Sequence, residues 1–293
     1  MMTGVNFNRE FMDISSSVLN RIEGKLSKNS ESENVDLIRK AILEEVDLIK
    51  SNIPEVNMKK ELVKLAINSD VVFDLHSDAD ALIHMYTHDK LWPELADIAA
   101  CLDTQTHLLA PTVSGNCFDE VCSYPWAAIS EKYPDYPVPM ACQSATIELR
   151  GESDVFNSLA EKDATGLVNF LLRRKYISNS DEDQMNALSL ESIESSLSRP
   201  ATPLSGVDMI EAPMAGVIVY TVDIGSHVEK GDQLGYIMCT ITGEEKPIIT
   251  EQSGIFFARR LRKLAFPGLV VAKVAGRKPL ESRDGKKNLL TSR

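Results

Sequence analysis

The sequence has little basic charge, few aromatic residues and no long apolar run. Its 293 residues contain 31 Lys and Arg against 43 Asp and Glu, so the formal net charge is −12. This balance argues against nucleic acid as a main partner, because phosphate binding depends on clustered Lys and Arg. No stretch approaches the roughly 18 apolar residues of a membrane span, and the first residues lack the apolar centre of a signal peptide. We therefore expect a cytoplasmic protein without a membrane or nucleic-acid partner.

Cysteine is sparse as well, and its spacing does not fit the common zinc motifs. No pair among the five cysteines has zinc-knuckle spacing, which predicts reduced thiols in a cytoplasmic protein. What the chain does have is an ordinary globular composition, with 43% hydrophobic and 25% charged residues. At roughly 150 residues per domain, its length predicts about two domains.

The charge is uneven along the chain, and its distribution helps to separate three parts. Residues 207–293 carry 13 basic and 10 acidic side chains, which leaves 18 basic and 33 acidic side chains for residues 1–206. Residues 178–206 are rich in Ser and acids and have the composition of a linker, with one short helix around Leu188–Leu197. We therefore predict a first domain over residues 1–177, a linker over 178–206 and a second domain over 207–293.

Helical and strand patterns alternate in the first domain. Apolar residues recur at helical spacing between Val35 and Ile49, and a short apolar run such as Val71–Leu75 is typical of a buried strand. Further helices are predicted over 58–67, 91–104, 119–133 and 163–176, and further strands over 106–111 and 144–150. Such alternation predicts an α/β domain with a mostly parallel sheet and flanking helices.

The second domain has a different pattern. Its β-branched residues are punctuated by glycine and show no helical period, and Ala212–Ile218 is weakly repeated by Thr250–Phe256. Two similar β units joined by a turn predict a small all-β barrel or sandwich.

His76 stands at the end of a predicted strand. Open α/β folds bind ligands at the carboxyl edge of a parallel sheet, so Asp74 and His76 lie where a site is expected. A neutral His at this edge is a good zinc ligand, and a nearby carboxylate could orient its ring. The alternative is a hydrogen-bonded His at a strand end.

Glu148 lies within a predicted strand, between Ile147 and Leu149. Strand alternation turns its side chain to the face opposite theirs. A carboxylate in this position either reaches solvent or lines a site in which it transfers protons. Both interpretations stay open from this segment alone.

Two further pairs contain candidate ligand groups. Asn8 and Arg9 offer donors suited to a carboxylate, because a guanidinium can bind it through two parallel hydrogen bonds. His84 and His88, four residues apart, would share a face if the segment were helical and could then hold a metal. Nothing in the segment supports a helix strongly, so two partly exposed histidines are the expectation there.

Three motifs, taken in their order along the chain, have a more specific meaning than any one alone. The motifs N-x-N-R-x-F, D-L-H-S and T-I-E-L-R-G resemble those of the succinylglutamate desuccinylase/aspartoacylase family, relatives of the zinc carboxypeptidases. The resemblance implies a zinc-carboxypeptidase-like domain followed by a small β domain. It also implies a zinc cofactor with His76 as a ligand, Glu148 as the general base, and Asn8 with Arg9 as the groups that hold a substrate carboxylate. The implied activity is hydrolysis of the amide bond of an N-acyl amino acid or a related small amide.

The sequence also departs from the family pattern. Members carry an upstream H-x-x-E motif that supplies two zinc ligands, whereas none of the five histidines here precedes residue 76. We therefore expect an N-terminally shortened form that binds zinc weakly or not at all. Replacement ligands would have to come from Asp78, Asp80, His84 or His88. The alternative function is a non-catalytic scaffold protein that binds small carboxylates, and a homo-oligomer stays open.

The second domain is similar to the biotinyl and lipoyl carrier domains. These carriers present a modifiable Lys on a hairpin, and Lys246 occupies the corresponding turn. Pro247 follows it and neither usual flanking pattern is present, so carrier function is a remote alternative. The favoured interpretation is a structural β domain that shapes the entrance to a catalytic site.

Overall fold

A computed structural model describes residues 7–92, 94–110, 116–178, 197 and 199–283 of the chain. Its helices are α1 (Ser15–Ile22), α2 (Glu31–Leu48), α3 (Pro54–Ala66), α4 (Ala96–Cys101), α5 (Phe118–Lys132) and α6 (Asn157–Arg173). Its strands are β1 (Val71–Asp78), β2 (Asp80–Ala81), β3 (His84–His88), β4 (Thr106–Ala110), β5 (Gln143–Gly151), β6 (Thr202–Pro203), β7 (Val207–Glu211), β8 (Gly216–Tyr220), β9 (His227–Val228), β10 (Gln233–Met238), β11 (Glu245–Ile249), β12 (Gly254–Arg259), β13 (Leu264–Ala265) and β14 (Val270–Gly276). Within the described ranges, no helix has the length and apolar character needed to cross a membrane.

Five strands form one hydrogen-bonded sheet in the order β1-β5-β3-β4-β6, in which β4 and β6 run parallel. Together with the helices, this sheet confirms the predicted α/β class. The predicted strand Val71–Leu75 is β1, which continues to Asp78. The segment that contains His84 and His88 is strand β3, in agreement with the weak sequence support for a helix there.

The chain divides into two compact units. Unit 1 consists of Met1–Asp74, Thr87–Leu91 and Pro111–Thr146. Unit 2 consists of Leu75–Tyr86, Trp92–Ala110 and Ile147–Arg293. The domain boundaries at residues 177 and 207 stay a prediction, and the short helix expected around Leu188–Leu197 falls, except for Leu197, outside the described residues.

The core of unit 1 is built from the apolar faces of α1, α2, α3 and α5. In α2, Ile38, Ile42 and Val46 recur every four residues and are fully buried, which is the helical spacing that the sequence shows. Ser30 begins this helix, since its hydroxyl accepts a hydrogen bond from the Glu33 amide at 3.3 Å. The helix therefore has both a defined start and a buried face.

Unit 2 contains two antiparallel sheets, built from the second predicted domain together with β2. One has the order β11-β10-β8-β13, and the other has the order β2-β12-β14-β7 with β9 paired to β12. The two repeated sequence segments lead into β8 and β12, which begin at Gly216 and Gly254. A Cβ atom would lie 2.3 Å from the Met238 carbonyl oxygen at the first position and 2.0 Å from the Ala275 carbonyl oxygen at the second. Both glycines are thus required by the close approach of a neighbouring strand.

A second apolar cluster in unit 2 joins strands from both predicted domains. Ala81 and Leu108 pack in it with residues of the C-terminal strands: Leu204, Val207, Phe257, Ala258 and Ala275. Strand β2 also pairs with β12, with Ala81 opposite Ala258. These residues share one buried core.

Candidate functional site

The Asn8 side chain connects the N-terminal turn to two elements of unit 1. Its Nδ2 donates a hydrogen bond to Asp74 Oδ2 of β1 at 3.0 Å. Its Oδ1 accepts a hydrogen bond from the Phe118 amide, at the start of α5, at 2.9 Å. Because helix N-termini leave amide groups without intrahelical partners, this contact satisfies one of them and fixes the turn.

Arg9 is held through both its backbone and one guanidinium nitrogen. The buried Lys59 donates from Nζ to the Arg9 carbonyl oxygen at 2.6 Å. Arg9 Nη1 donates to the Asn8 carbonyl oxygen at 2.6 Å and to Cys117 Sγ at 3.2 Å. The next residue, Glu10, has a φ of 58°, a left-handed conformation that a non-glycine residue adopts only where its surroundings impose it.

The remaining edge of the Arg9 guanidinium is suited to an anion. Among the described residues, no carboxylate lies within ion-pair distance of Arg9, and the guanidinium hydrogen bonds to them come from Nη1. The Nε and Nη2 groups point in parallel and match the two oxygens of a carboxylate. The Arg9 side chain is partly buried.

Asp119 is a titratable residue of unit 1 that the sequence did not single out. It lies in the first turn of α5 and is 8% exposed. Burial is the main cause that raises the pKa of Asp119 to about 7, and the negative charges of Glu120 and Asp74 add to it. A hydrogen bond with Thr146 lowers the pKa and offsets part of this rise. An Asp-Glu pair at a helix start is typical of ordinary helix-dipole stabilisation, so the pattern gave no sign of burial.

His76 and Glu148 lie on neighbouring strands of the sheet, β1 and β5. Both side chains are half-buried, and Glu148 Oε2 is shielded from solvent. Ile147 beside it is fully buried on the opposite face, as strand alternation predicts. His76 and Glu148 belong to unit 2, whereas Asn8 and Arg9 belong to unit 1.

Two of the replacement ligands considered for zinc bind basic side chains of unit 2. Asp78 accepts a hydrogen bond from Lys273 Nζ at 2.6 Å. Asp80 accepts one from Arg259 Nε at 2.7 Å. Each carboxylate is therefore part of an ion pair within the unit.

The two histidines of β3 are buried, so the expectation that they are partly exposed is wrong. His84 is 0% exposed and His88 is 9% exposed. His84 Nδ1 lies 2.7 Å from the Leu82 carbonyl oxygen, and burial lowers the pKa of His84 to about 4. His88 Nδ1 accepts a hydrogen bond from the Lys90 amide at 3.1 Å. Strand pairing and apolar surroundings, which a local pattern does not reveal, account for the burial.

A zinc ion does not fit the side chains that can be described. Within the described ranges, no group of three or more His, Cys, Asp or Glu residues could hold a metal ion. A catalytic zinc normally has three protein ligands and a water. His76 as a zinc ligand therefore stays a prediction from the family resemblance.

Solved structures of similar fold match almost the whole chain. A candidate succinylglutamate desuccinylase/aspartoacylase from Shewanella frigidimarina has a TM-score of 0.79 at 23% identity, over 96% of this chain and 74% of that protein. A candidate protein of the same family from Shewanella amazonensis has a TM-score of 0.75 at 20% identity, over 95% and 75% of the two chains. The apo ectoine utilization protein EutE from Ruegeria pomeroyi has a TM-score of 0.55 at 17% identity, over 77% and 66%.

Comparisons of sequence alone found no such relatives. No protein-family model matches the chain, and no curated protein matches it. At identities of 23% and below, the likeness to the solved structures is one of fold. The chain therefore has the fold of the succinylglutamate desuccinylase/aspartoacylase structures, as the order of its three motifs predicted.

Proposed function

We propose that the protein binds a small carboxylate of the N-acyl amino acid type through the guanidinium of Arg9. The observation that carries this proposal is the state of the Arg9 side chain. It is partly buried, it is held through Nη1, and no described carboxylate lies within ion-pair distance of it. A cation removed from water in this way is stabilised by an anionic ligand.

The surroundings of Arg9 favour binding because they fix it before a ligand arrives. Asn8 is bonded to β1 and to the start of α5, and Lys59 holds the Arg9 carbonyl oxygen. A side chain held in its bound geometry loses less conformational entropy when the ligand binds. Asn8 and Lys59 are positioning residues in this proposal.

The class of ligand is supported by the fold. The structures from Shewanella are described as candidate succinylglutamate desuccinylase/aspartoacylase proteins, and those names refer to N-acyl derivatives of acidic amino acids. Such compounds carry a carboxylate next to an amide. We therefore propose N-acyl derivatives of Asp or Glu as the first compounds to examine.

Hydrolysis of the ligand's amide bond is a second candidate, favoured by the same likeness in fold. In this version Glu148 accepts a proton from the attacking water and returns it to the departing amine. The family resemblance adds a zinc ion with His76 as a ligand. The described residues do not supply its other ligands, so the metal has no part in the steps proposed here.

Arg9→Gln should lower the affinity for N-succinylglutamate by roughly 100-fold, because two charge-assisted hydrogen bonds are lost. Arg9→Lys should give an intermediate loss, since it keeps the charge but not the paired donors. Isothermal titration calorimetry measures both. Arg262→Gln is the matched control, because Arg262 is exposed and should leave the affinity unchanged. Equal affinity in wild type and Arg9→Gln would rule out Arg9 as the carboxylate group.

Binding and hydrolysis can be separated with the same purified protein. Release of glutamate from N-succinylglutamate, lost in Glu148→Gln, would support the hydrolase. Binding without release, in protein that contains no zinc by elemental analysis, would support the scaffold function. An absence of both binding and release would contradict the two candidates together.

A further inference from the structure

A cavity of about 720 Å³ lies within unit 2, at the start of β4 and beside the first residues of β12. Its volume is within the range of small-molecule sites, roughly 300–1,000 Å³. Four basic side chains line it: Arg199, His227, Arg277 and Lys278. No Asp or Glu is among its described lining residues, and neither is any of the predicted site residues Asn8, Arg9, His76 and Glu148.

The basic side chains of the cavity are largely without acidic partners. Arg199 is partly buried and, among the described residues, donates to two carbonyl oxygens, those of Gln105 at 3.5 Å and Gly225 at 3.3 Å. Within the described residues, Arg277 and Lys278 form no ion pair. Only His227 lies near a carboxylate, at 3.5 Å from Glu229. Arg199 is partly buried, whereas Arg277 and Lys278 are exposed, so an anion in the cavity faces three positive side chains and no acidic lining residue among those described.

We infer that this cavity binds a small organic anion with two or more negative charges. Arg199, Arg277 and Lys278 pair with its acidic groups. Phosphate esters and polycarboxylates share this chemistry. Because the whole protein has a net charge of −12, general attraction cannot draw anions to it, so binding depends on this local cluster. The inference does not depend on the proposed function, since it concerns other residues.

Calorimetric titration of the full chain with pyrophosphate, 5′-AMP and citrate, at constant ionic strength, tests the inference. At least one probe should bind and raise the melting temperature in a concentration-dependent way. A preference for pyrophosphate or 5′-AMP over citrate identifies a phosphate site, and the reverse preference identifies a polycarboxylate site. If none of the three binds at millimolar concentration, the inference is wrong.

Variants locate the bound probe. The double change Arg277→Gln and Lys278→Gln should weaken binding by roughly tenfold or more, whereas Arg262→Gln should not. A loss in Arg262→Gln equal to that in the double variant would overturn the assignment to this cavity.

Discussion

The wild-type protein should become less stable as the pH rises from about 4 to 7, and Asp119→Asn should abolish this decrease. The pKa of Asp119 is raised from 3.8 to about 7, mainly by burial. Between these two pKa values the folded protein holds a proton that the unfolded chain releases. The stability that the protonated Asp119 contributes is therefore complete below pH 4 and is lost as the pH passes 7. A difference of about three pKa units corresponds to about 4 kcal/mol as an upper limit. Asparagine keeps the shape of the side chain but cannot ionise.

The measurement is urea denaturation of wild type and variant at pH 4, 5, 6, 7 and 8. Other groups act in the opposite direction, since burial lowers the pKa of both His84 and His107 to about 4. The difference between the two proteins isolates Asp119 from these histidines. Asp119→Asn should gain a few kcal/mol over wild type at pH 8 and little at pH 4. Asp135→Asn, at an exposed position of the same unit, is the control. A gain independent of pH would show that Asp119 does not titrate as described.

Asp97→Ala should destabilise the protein by about 3–5 kcal/mol, the usual cost of removing one partner from a buried ion pair. Asp97 is 2% exposed and lies in α4. Its carboxylate accepts from Arg174 Nε at 2.5 Å and from Arg174 Nη2 at 3.2 Å, and it also accepts from the Ile98 amide at 2.8 Å. The change leaves the partly buried Arg174 guanidinium without its carboxylate, just beyond the end of α6.

An exposed ion pair in the same unit provides the comparison for Asp97. Lys162 of α6 lies 2.9 Å from Asp103, and the two side chains are 55% and 60% exposed. Lys162→Gln should therefore change the unfolding free energy by less than about 1 kcal/mol. Adding Arg174→Met to Asp97→Ala should recover part of the lost stability, because a charge that has lost its Asp97 partner is removed. A loss in Asp97→Ala as small as that in Lys162→Gln would contradict the buried-pair assignment.

Local sequence patterns were sufficient for elements whose buried residues follow a regular spacing. Ile38, Ile42 and Val46 predict α2 because one face of a helix collects them. Helix α1 was not predicted, because it has only eight residues and no side-chain cap. It is fixed by the packing of Val18 and Ile22 in the core of unit 1, which is a tertiary effect.

Some of the candidate site residues could be found from sequence motifs, whereas others depend on tertiary contacts. The order of the motifs directed attention to Asn8 and Arg9, and the structure gives Asn8 partners on β1 and α5. The importance of Lys59 and Asp119 could not be predicted, because each looks like an ordinary charged residue on a helix. Their burial depends on contacts with distant parts of the chain, such as the Lys59 bond to the Arg9 carbonyl oxygen, 50 residues away.

The apolar cluster that contains Ala81, Leu108 and Phe257 limits how the C-terminal strands can be exchanged between proteins. Leu108 comes from the five-stranded sheet, whereas Phe257 and Ala258 come from β12. Recombination at any point between Leu108 and Leu204 would divide this core between two parents and leave an unpaired edge where β2 meets β12. Substitutions on either side of the cluster therefore have to remain compatible with those on the other side.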